Sequence, residues 1–149
     1  MIAIFGAVFF LLFRFITFET EDASELLNQV KIGSATKRWQ AAYELSKVFN
    51  NPKTIPTDLS FKNQMISSYN HAINDDPLVR AYLAIAMGVT ADNFYGNELV
   101  LGLKDEARES RLAAIQAVGM VKEVTAVPVL SEIIKTSDYQ DERLAATMS

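Results

Sequence analysis

The sequence predicts an all-α fold: an α-solenoid of antiparallel helix pairs preceded by an N-terminal hydrophobic helix. A short apolar block with an arginine at one fixed place recurs four times, and the arginines stand at positions 38, 80, 111 and 143, in steps of 42, 31 and 32 residues. Repeats with periods of about 20–50 residues are typical of stacked units that share one continuous core. Apolar residues recur at spacings of three and four, as on one face of a helix, and no segment shows the alternation of a strand.

The predicted helices can be placed in order from their start and stop signals. Helices are predicted at residues 22–32, 36–49, 59–73, 77–88, 93–104, 105–119 and 125–135, with a further block from about 141. Asp22 followed by Glu25 resembles a capping box, and Gly33 ends the first helix. Asp76 followed by Pro77 gives a clear helix start, because aspartate is a favoured N-cap and proline fits the first helical position.

This organisation predicts three parts. Residues 1–18 form a membrane anchor helix, residues 19–33 a juxtamembrane short helix, and residues 34–149 a set of repeats, about three plus an incomplete fourth. The fourth block reaches Ser149 with apolar residues and no partner helix, whereas a solenoid needs a terminal unit with a polar outer face. A fragment of a longer array is therefore expected. The alternative is a short last helix that caps the stack by itself.

The N-terminal segment is strongly apolar. Residues 2–13 contain no polar side chain, and after Arg14 the apolar stretch continues to Phe18. As one helix, residues 2–18 would span roughly 26 Å, slightly less than a bilayer core of about 30 Å. A cleaved signal peptide fits poorly because no Lys or Arg precedes Arg14, and a buried core helix has no place in a small solenoid. A single-pass membrane anchor is predicted, and the cationic residues after it favour a cytoplasmic repeat domain.

Composition excludes several classes of function. The chain of 149 residues has a net charge of −4, so it lacks the basic footprint of a nucleic-acid-binding protein, and no nucleic-acid partner is expected. It has no cysteine, which excludes disulfides and thiolate metal sites, and its single histidine is His71. Glycine-rich phosphate loops are absent. The sequence therefore predicts no catalytic residue, no cofactor and no metal ligand, with His71 interpreted as a helix-end or surface residue.

The polar residues that stand out receive a structural interpretation. The repeated arginines Arg80, Arg111 and Arg143 could bind anions. The favoured interpretation is structural: each arginine pairs with acidic side chains or carbonyl groups of the neighbouring turn, and together these pairs form a ladder between repeats. The aspartates at helix starts are interpreted as helix caps near positive helix N-termini rather than as catalytic carboxylates. They are Asp75, Asp76, Asp105 and Asp141. Trp39 and Tyr43 lie one helical turn apart and could form a peptide-binding patch, although core packing is favoured.

Two sequence elements stand out within the blocks, and the first of them occurs twice. The first comprises Asp76-Pro77-Leu78-Val79-Arg80 through Gly88, and again Arg111-Leu112-Ala113-Ala114 through Gly119. The second is Ala126-Val127-Pro128-Val129-Leu130. These elements resemble HEAT repeats, in particular the short bacterial type that is also found in phycobilin lyase-like proteins. The resemblance covers about residues 34–149, although the first unit lacks the closing glycine and carries an extra loop. It implies a scaffold fold and a mode of action, not a reaction.

The sequence thus predicts a membrane-tethered helical-repeat scaffold that mediates protein–protein interaction and is not an enzyme. A protein partner would bind the concave face of the solenoid through contacts distributed along the stacked helices, while residues 2–18 would hold the chain at the membrane. The alternative is an accessory or lyase-like subunit of an enzyme or of a membrane complex. Lyase chemistry would require a reactive or orienting acidic residue and a cavity, and the sequence shows neither.

Overall fold

The computed structural model describes residues 22–72 and 76–149, and the chain is all-α throughout these ranges. They contain eight α-helices: α1 (Ala23–Ile32), α2 (Ala35–Val48), α3 (Leu59–Ala72), α4 (Pro77–Val89), α5 (Gly96–Gly102), α6 (Arg108–Met120), α7 (Val127–Thr136) and α8 (Gln140–Met148). Short 3-10 helices lie at Pro52–Thr54, Asn93–Tyr95 and Val124–Ala126. The all-α prediction is confirmed for the described residues.

Two of the predicted helices are each divided in two. The segments predicted as helices 93–104 and 125–135 begin with a 3-10 turn, and α5 and α7 start only after it. Asp92 Oδ1 accepts a hydrogen bond from the Phe94 N–H at 3.0 Å, and Glu123 Oε1 accepts one from the Thr125 N–H at 3.0 Å. These carboxylates cap the 3-10 turns, because an acidic side chain satisfies N–H groups that lack an intrahelical acceptor.

The arginine-bearing helices form a continuous stack. Helix α2 contacts α4, α4 contacts α6, and α6 contacts α8. Each of them also packs closely on the helix that precedes it: α2 on α1, α4 on α3, α6 on α5 and α8 on α7. The sequence paired α4 with α5 and α6 with α7, and those helices approach each other less closely. Helix α1 contacts α3 as well as α2, so residues 23–32 are part of the packed body.

Glycine allows the stacked helices to approach closely. A Cβ atom on Gly88 of α4 would lie 2.9 Å from Ala117 Cα of α6, and one on Gly119 of α6 would lie 2.7 Å from Ser149 Cα. Real Cβ atoms essentially never come within 3.0 Å of a neighbouring heavy atom. Two successive arginine-bearing helices therefore each use a glycine for a close contact with the segment that stacks on them, Ala117 of α6 in one case and the C-cap Ser149 of α8 in the other.

These two glycines were predicted as the last residues of their helices, and each helix ends one residue later. Helix α4 continues to Val89 and α6 to Met120, and no described glycine has a positive φ. Among the residues that the structure describes, those with left-handed backbone are Ala91, with φ of 52°, and Lys122, with φ of 56°. Each lies three residues after the glycine, where the chain turns out of the helix. The glycine is present for close packing, which the sequence motif alone does not distinguish from a helix stop.

Several predicted features fall outside the described residues. The anchor segment 2–18 and the cap residue Asp75 belong to the undescribed ranges. Among residues 22–72 and 76–149, no helix has the length and apolar character needed to cross a bilayer. The predicted start at Asp76 is confirmed, since its Oδ1 accepts a hydrogen bond from the Leu78 N–H at 2.9 Å and Pro77 opens α4.

Candidate functional site

The four repeated arginines share one type of contact, a hydrogen bond to a backbone carbonyl. Each donates to a carbonyl oxygen at or just beyond the end of a preceding helix: Arg38 Nε to Val30 O at 2.9 Å, Arg80 Nη1 to Ala72 O at 2.8 Å, Arg111 Nη1 to Asp105 O at 2.7 Å and Arg143 Nη1 to Ser137 O at 2.6 Å. The last carbonyls of a helix lack intrahelical donors, and a cation is favoured at this negative end. The predicted structural ladder is confirmed, and we refer to these contacts as the arginine ladder.

The first complete rung of the ladder is a buried ion pair between units. Arg80 Nε donates to Asp105 Oδ2 at 2.6 Å and Nη2 donates to Asp105 Oδ1 at 2.9 Å, and both side chains are almost fully buried. This two-point geometry is the strong form of an arginine–carboxylate contact. Burial raises the pKa of the Asp105 carboxyl, but hydrogen bonds from Arg80, Ser110 and the Ala107 N–H outweigh it, so that the pKa lies below its ordinary value.

The second rung joins the next two units in a similar way. Arg111 Nη2 donates to Glu142 Oε1 at 2.8 Å, and Arg111 Nε donates to the same oxygen at 3.1 Å. Glu142 is almost completely buried, whereas Arg111 is partly exposed. In both rungs Nη1 of the arginine faces the preceding carbonyl, and the edge formed by Nε and Nη2 faces the carboxylate of the following unit.

In each rung a serine hydroxyl donates to the carboxylate, and the serine and the acidic residue occupy the same two sequence positions relative to the arginine, but in reversed order. Ser110 Oγ donates to Asp105 Oδ2 at 2.7 Å, and Ser137 Oγ donates to Glu142 Oε2 at 2.7 Å. In one unit the acid lies six residues before the arginine and the serine one residue before it; in the next unit these positions are reversed. Glu142 was not among the candidate residues. The five-residue spacing of a serine and an acid, present in both units, is the signal that would have found it.

Arg143 differs from the two arginines in complete rungs. Its Nη1 bonds Ser137 O, but within residues 22–72 and 76–149 its Nε and Nη2 have no hydrogen-bond acceptor. Along α7 lies a cavity of about 330 Å³, which we call the end groove; the residues that line it include Lys122, Glu123, Val127, Leu130, Ile134 and Ala146. Val127 and Ile134 were predicted to point inward, yet they are 55% and 39% exposed. No described element covers them.

The remaining candidate residues do not converge on a reaction centre. Asp141 lies in the first turn of α8 rather than at its N-cap and pairs with Arg108 at the surface. His71 lies in the last turn of α3 and lines a separate cavity of about 290 Å³ with Lys31 and Ser68. Among the described residues, no group of three His, Cys, Asp or Glu side chains could hold a metal ion.

The two aromatic residues of the first unit lie at a contact between helices. The Tyr43 ring of α2 meets the Tyr82 ring of α4 edge to face, with centroids 5.1 Å apart, and Lys47 Nζ lies 5.0 Å from the Tyr43 centroid. Trp39 is partly buried against the core. Tyr43 thus bridges units and remains partly exposed, which combines the two interpretations left open by the sequence.

Comparison with known proteins identifies the repeats. The family model described as HEAT repeats matches residues 70–149, a range that includes three of the four repeated arginines. No curated protein and no solved structure matches the chain. The match is to HEAT repeats in general and does not resolve the phycobilin lyase-like subtype.

Proposed function

Because the chain belongs to the HEAT-repeat family, whose members generally serve as protein-interaction scaffolds, we propose that it is a membrane-tethered scaffold and not an enzyme. Residues 1–18 would be the anchor, residues 19–33 the juxtamembrane segment and residues 34–149 the antiparallel repeat pairs of a solenoid. The repeat domain would lie on the cytoplasmic side, and a protein partner would bind its concave face through distributed contacts.

One observation carries this proposal: the buried ionic groups are held in the arginine ladder, whereas large apolar side chains remain exposed on several helices. Leu59 of α3, Leu101 of α5 and Leu144 of α8 are 61%, 61% and 60% exposed. The exposed part of each side chain is available to a partner, whose burial of that apolar area would stabilise a complex by about 25 cal/mol per Å². A framework held by inter-unit ion pairs keeps such side chains at fixed relative positions.

Photo-crosslinking tests the scaffold proposal. A photo-reactive amino acid replaces Leu59, Leu101 or Leu144 in turn, three positions on different helices with nearly equal exposure. In the cells that make the protein, we expect one discrete protein adduct from one or two of the positions and none from the others, because a partner covers one face. Equal and heterogeneous labelling from all three positions would contradict a specific binding face.

The tether is tested by extraction at alkaline pH. Residues 2–18 are apolar except for Arg14 and Thr17 and are followed by acidic residues, so the full chain is expected in the membrane pellet after carbonate treatment. The matched control is a chain that begins at Asp22, which we expect in the supernatant. Recovery of the full chain in the supernatant would exclude the tether while leaving the scaffold proposal in place.

A further inference from the structure

We propose that a cavity of about 290 Å³, formed by the last turns of α1 and α3 and by the first turn of α2, binds a phosphate monoester group. The group would come from a free phosphate compound or from a lipid headgroup. This inference goes beyond the scaffold function and does not depend on it. We call the cavity the α1–α3 cavity; it is lined by Val30, Lys31, Ile32, Arg38, Ser67, Ser68 and His71.

The α1–α3 cavity carries positive charge without an acidic neighbour in its lining. Lys31 and Arg38 are its cations, and none of the described residues that line it is acidic. Four other cavities of the described part each place an acidic side chain beside their cations. The pairs are Lys37 with Glu25 and Glu44, Arg80 and Lys104 with Asp105 and Glu106, Lys122 with Glu123, and Lys62 with Asp92. A concave surface lined by one sign of charge concentrates ions of the opposite sign, so the expected ligand is an anion.

The basic side chains at this place do more than satisfy helix ends. A cation is favoured in the last turn of a helix, where it can also bond the last carbonyls. Arg38 makes such a contact, since its Nε donates to Val30 O at 2.9 Å. Lys31 of α1 and His71 of α3 make no hydrogen bond and no ion pair within residues 22–72 and 76–149. Their N–H groups are therefore available to a ligand in the cavity.

A buried hydroxyl in the lining also lacks a partner. Ser68 is 6% exposed, and its Oγ has no hydrogen-bond partner. Other helical hydroxyls bond a carbonyl of their own helix: Ser46 Oγ donates to Tyr43 O at 2.6 Å, and Thr136 Oγ1 donates to Glu132 O at 2.9 Å. A buried polar group without a partner is costly and therefore rare. An acceptor oxygen of a bound ligand would satisfy the Ser68 hydroxyl.

The type of donor favours a phosphate monoester over a carboxylate. The unengaged donors are the Lys31 ammonium, an imidazole N–H of His71 and the Ser68 hydroxyl, and they belong to two helices. A planar carboxylate is matched best by one guanidinium fork, whereas lysine binds phosphate as a point charge. A phosphate monoester has three strong acceptor oxygens and a charge of about −1.5 to −2. The cavity volume is close to the lower end of small-molecule sites, about 300 Å³, so a phosphate group with few attached atoms fits.

Calorimetric titration of the full chain in neutral detergent micelles with glycerol 3-phosphate tests the site. We expect saturable binding with a Kd of about 1 mM or lower. Lys31→Gln is expected to weaken binding about tenfold, because a charge-assisted contact is lost. The matched control is Lys135→Gln, which removes an exposed lysine from the last turn of α7 and should leave binding unchanged. No saturable binding up to about 10 mM, or an equal loss in the two variants, would overturn the inference.

Ser68→Ala distinguishes a ligand contact from a structural role. The change is expected to weaken binding about threefold or more, because one hydrogen bond to the ligand is lost. The melting temperature should stay the same or rise, since the variant removes a buried hydroxyl that has no partner in the protein. Unchanged affinity would overturn the assignment of Ser68 to the site, and a lower melting temperature with unchanged affinity would make the hydroxyl structural.

Two lipids added to the micelles identify the source of the phosphate group. Phosphatidic acid carries a phosphate monoester, and phosphatidylglycerol carries an anionic diester. The single tryptophan, Trp39, is next to Arg38 in the chain and reports binding by its fluorescence. A change at lower concentration with phosphatidic acid than with glycerol 3-phosphate, absent in Lys31→Gln, would assign a lipid headgroup; equal concentrations would assign a free compound. An equal response to phosphatidylglycerol, or binding only of a phosphoserine peptide, would overturn the inference. None of these results bears on the crosslinking test of the scaffold.

Discussion

Replacing Arg80 by alanine is expected to lower the free energy of unfolding by about 3–5 kcal/mol, the range found when one partner of a buried ion pair is removed. The change would leave the Asp105 carboxylate buried with two of its hydrogen bonds lost and the carbonyl of Ala72 without its donor. Most domains have only about 5–15 kcal/mol of stability in total. Urea unfolding followed by circular dichroism measures the loss.

The chain provides a matched control for this change in Arg108, which pairs with Asp141 where both side chains are more than two-fifths exposed. Arg108→Ala is expected to lower the free energy of unfolding far less than Arg80→Ala does, because solvent screens a surface ion pair. Equal costs for the two alanine variants would show that the ladder does not stabilise the stack. A third variant, Arg80→Met with Asp105→Leu, should be more stable than Arg80→Ala alone, since no buried charge is left without a partner.

Acid should weaken the same rung. The pKa of Asp105 lies below its ordinary value in the folded chain, so the carboxylate stabilises the fold above the pKa of the unfolded chain, about 3.9. That stabilisation is lost as the pH falls from about 4 through the lower folded pKa. Over this range the native protein should therefore lose more stability than an Asp105→Asn variant does. A parallel loss in the two proteins would assign the acid sensitivity to other carboxyl groups.

The sequence predicted the ladder because arginine is the one ladder residue that keeps its place in all four blocks. It did not predict Glu142, because the acid of the second rung stands where the preceding unit has Ser110. A comparison of blocks by residue identity treats these positions as unrelated. The two acids nevertheless make the same contact, because the longer glutamate side chain reaches the arginine of the preceding unit from within the helix and the shorter aspartate reaches it from the turn before the helix.

The periodicity of apolar residues does not predict which side chains of α7 are buried. The spacing of Val127, Leu130 and Ile134 correctly predicts a helix with one apolar face, and Leu130 is buried as expected. Periodicity specifies which side chains share a face but not whether another element covers that face. The same limit applies to Gly88, where the motif marks a required glycine but not the neighbouring helix that requires it.

Gly88→Ala is expected to destabilise the protein by about 1–3 kcal/mol, the usual cost of overpacking a close contact. The direction is informative, because alanine in a helix interior is otherwise about 1 kcal/mol more favourable than glycine. The new Cβ would lie 2.9 Å from Ala117 Cα and 3.0 Å from Ala117 Cβ. Since the first of these is a backbone atom, α4 and α6 must separate to relieve the clash.

Gly96→Ala is the matched control for Gly88→Ala. The Cβ at Gly96 would meet the Glu123 side chain, which can rotate away at the loss of its hydrogen bonds from Asn93 and Thr125. We expect Gly96→Ala to destabilise the protein less than Gly88→Ala does, because only a side chain, and no backbone atom, has to move. Ala117→Gly should then partly restore the Gly88→Ala variant, although alone it would destabilise α6 by about 1 kcal/mol. Thermal unfolding of the four proteins of this cycle gives the coupling energy; additive effects would mean that the two helices do not touch at this point, and the stacking of arginine-bearing helices on glycine would be wrong.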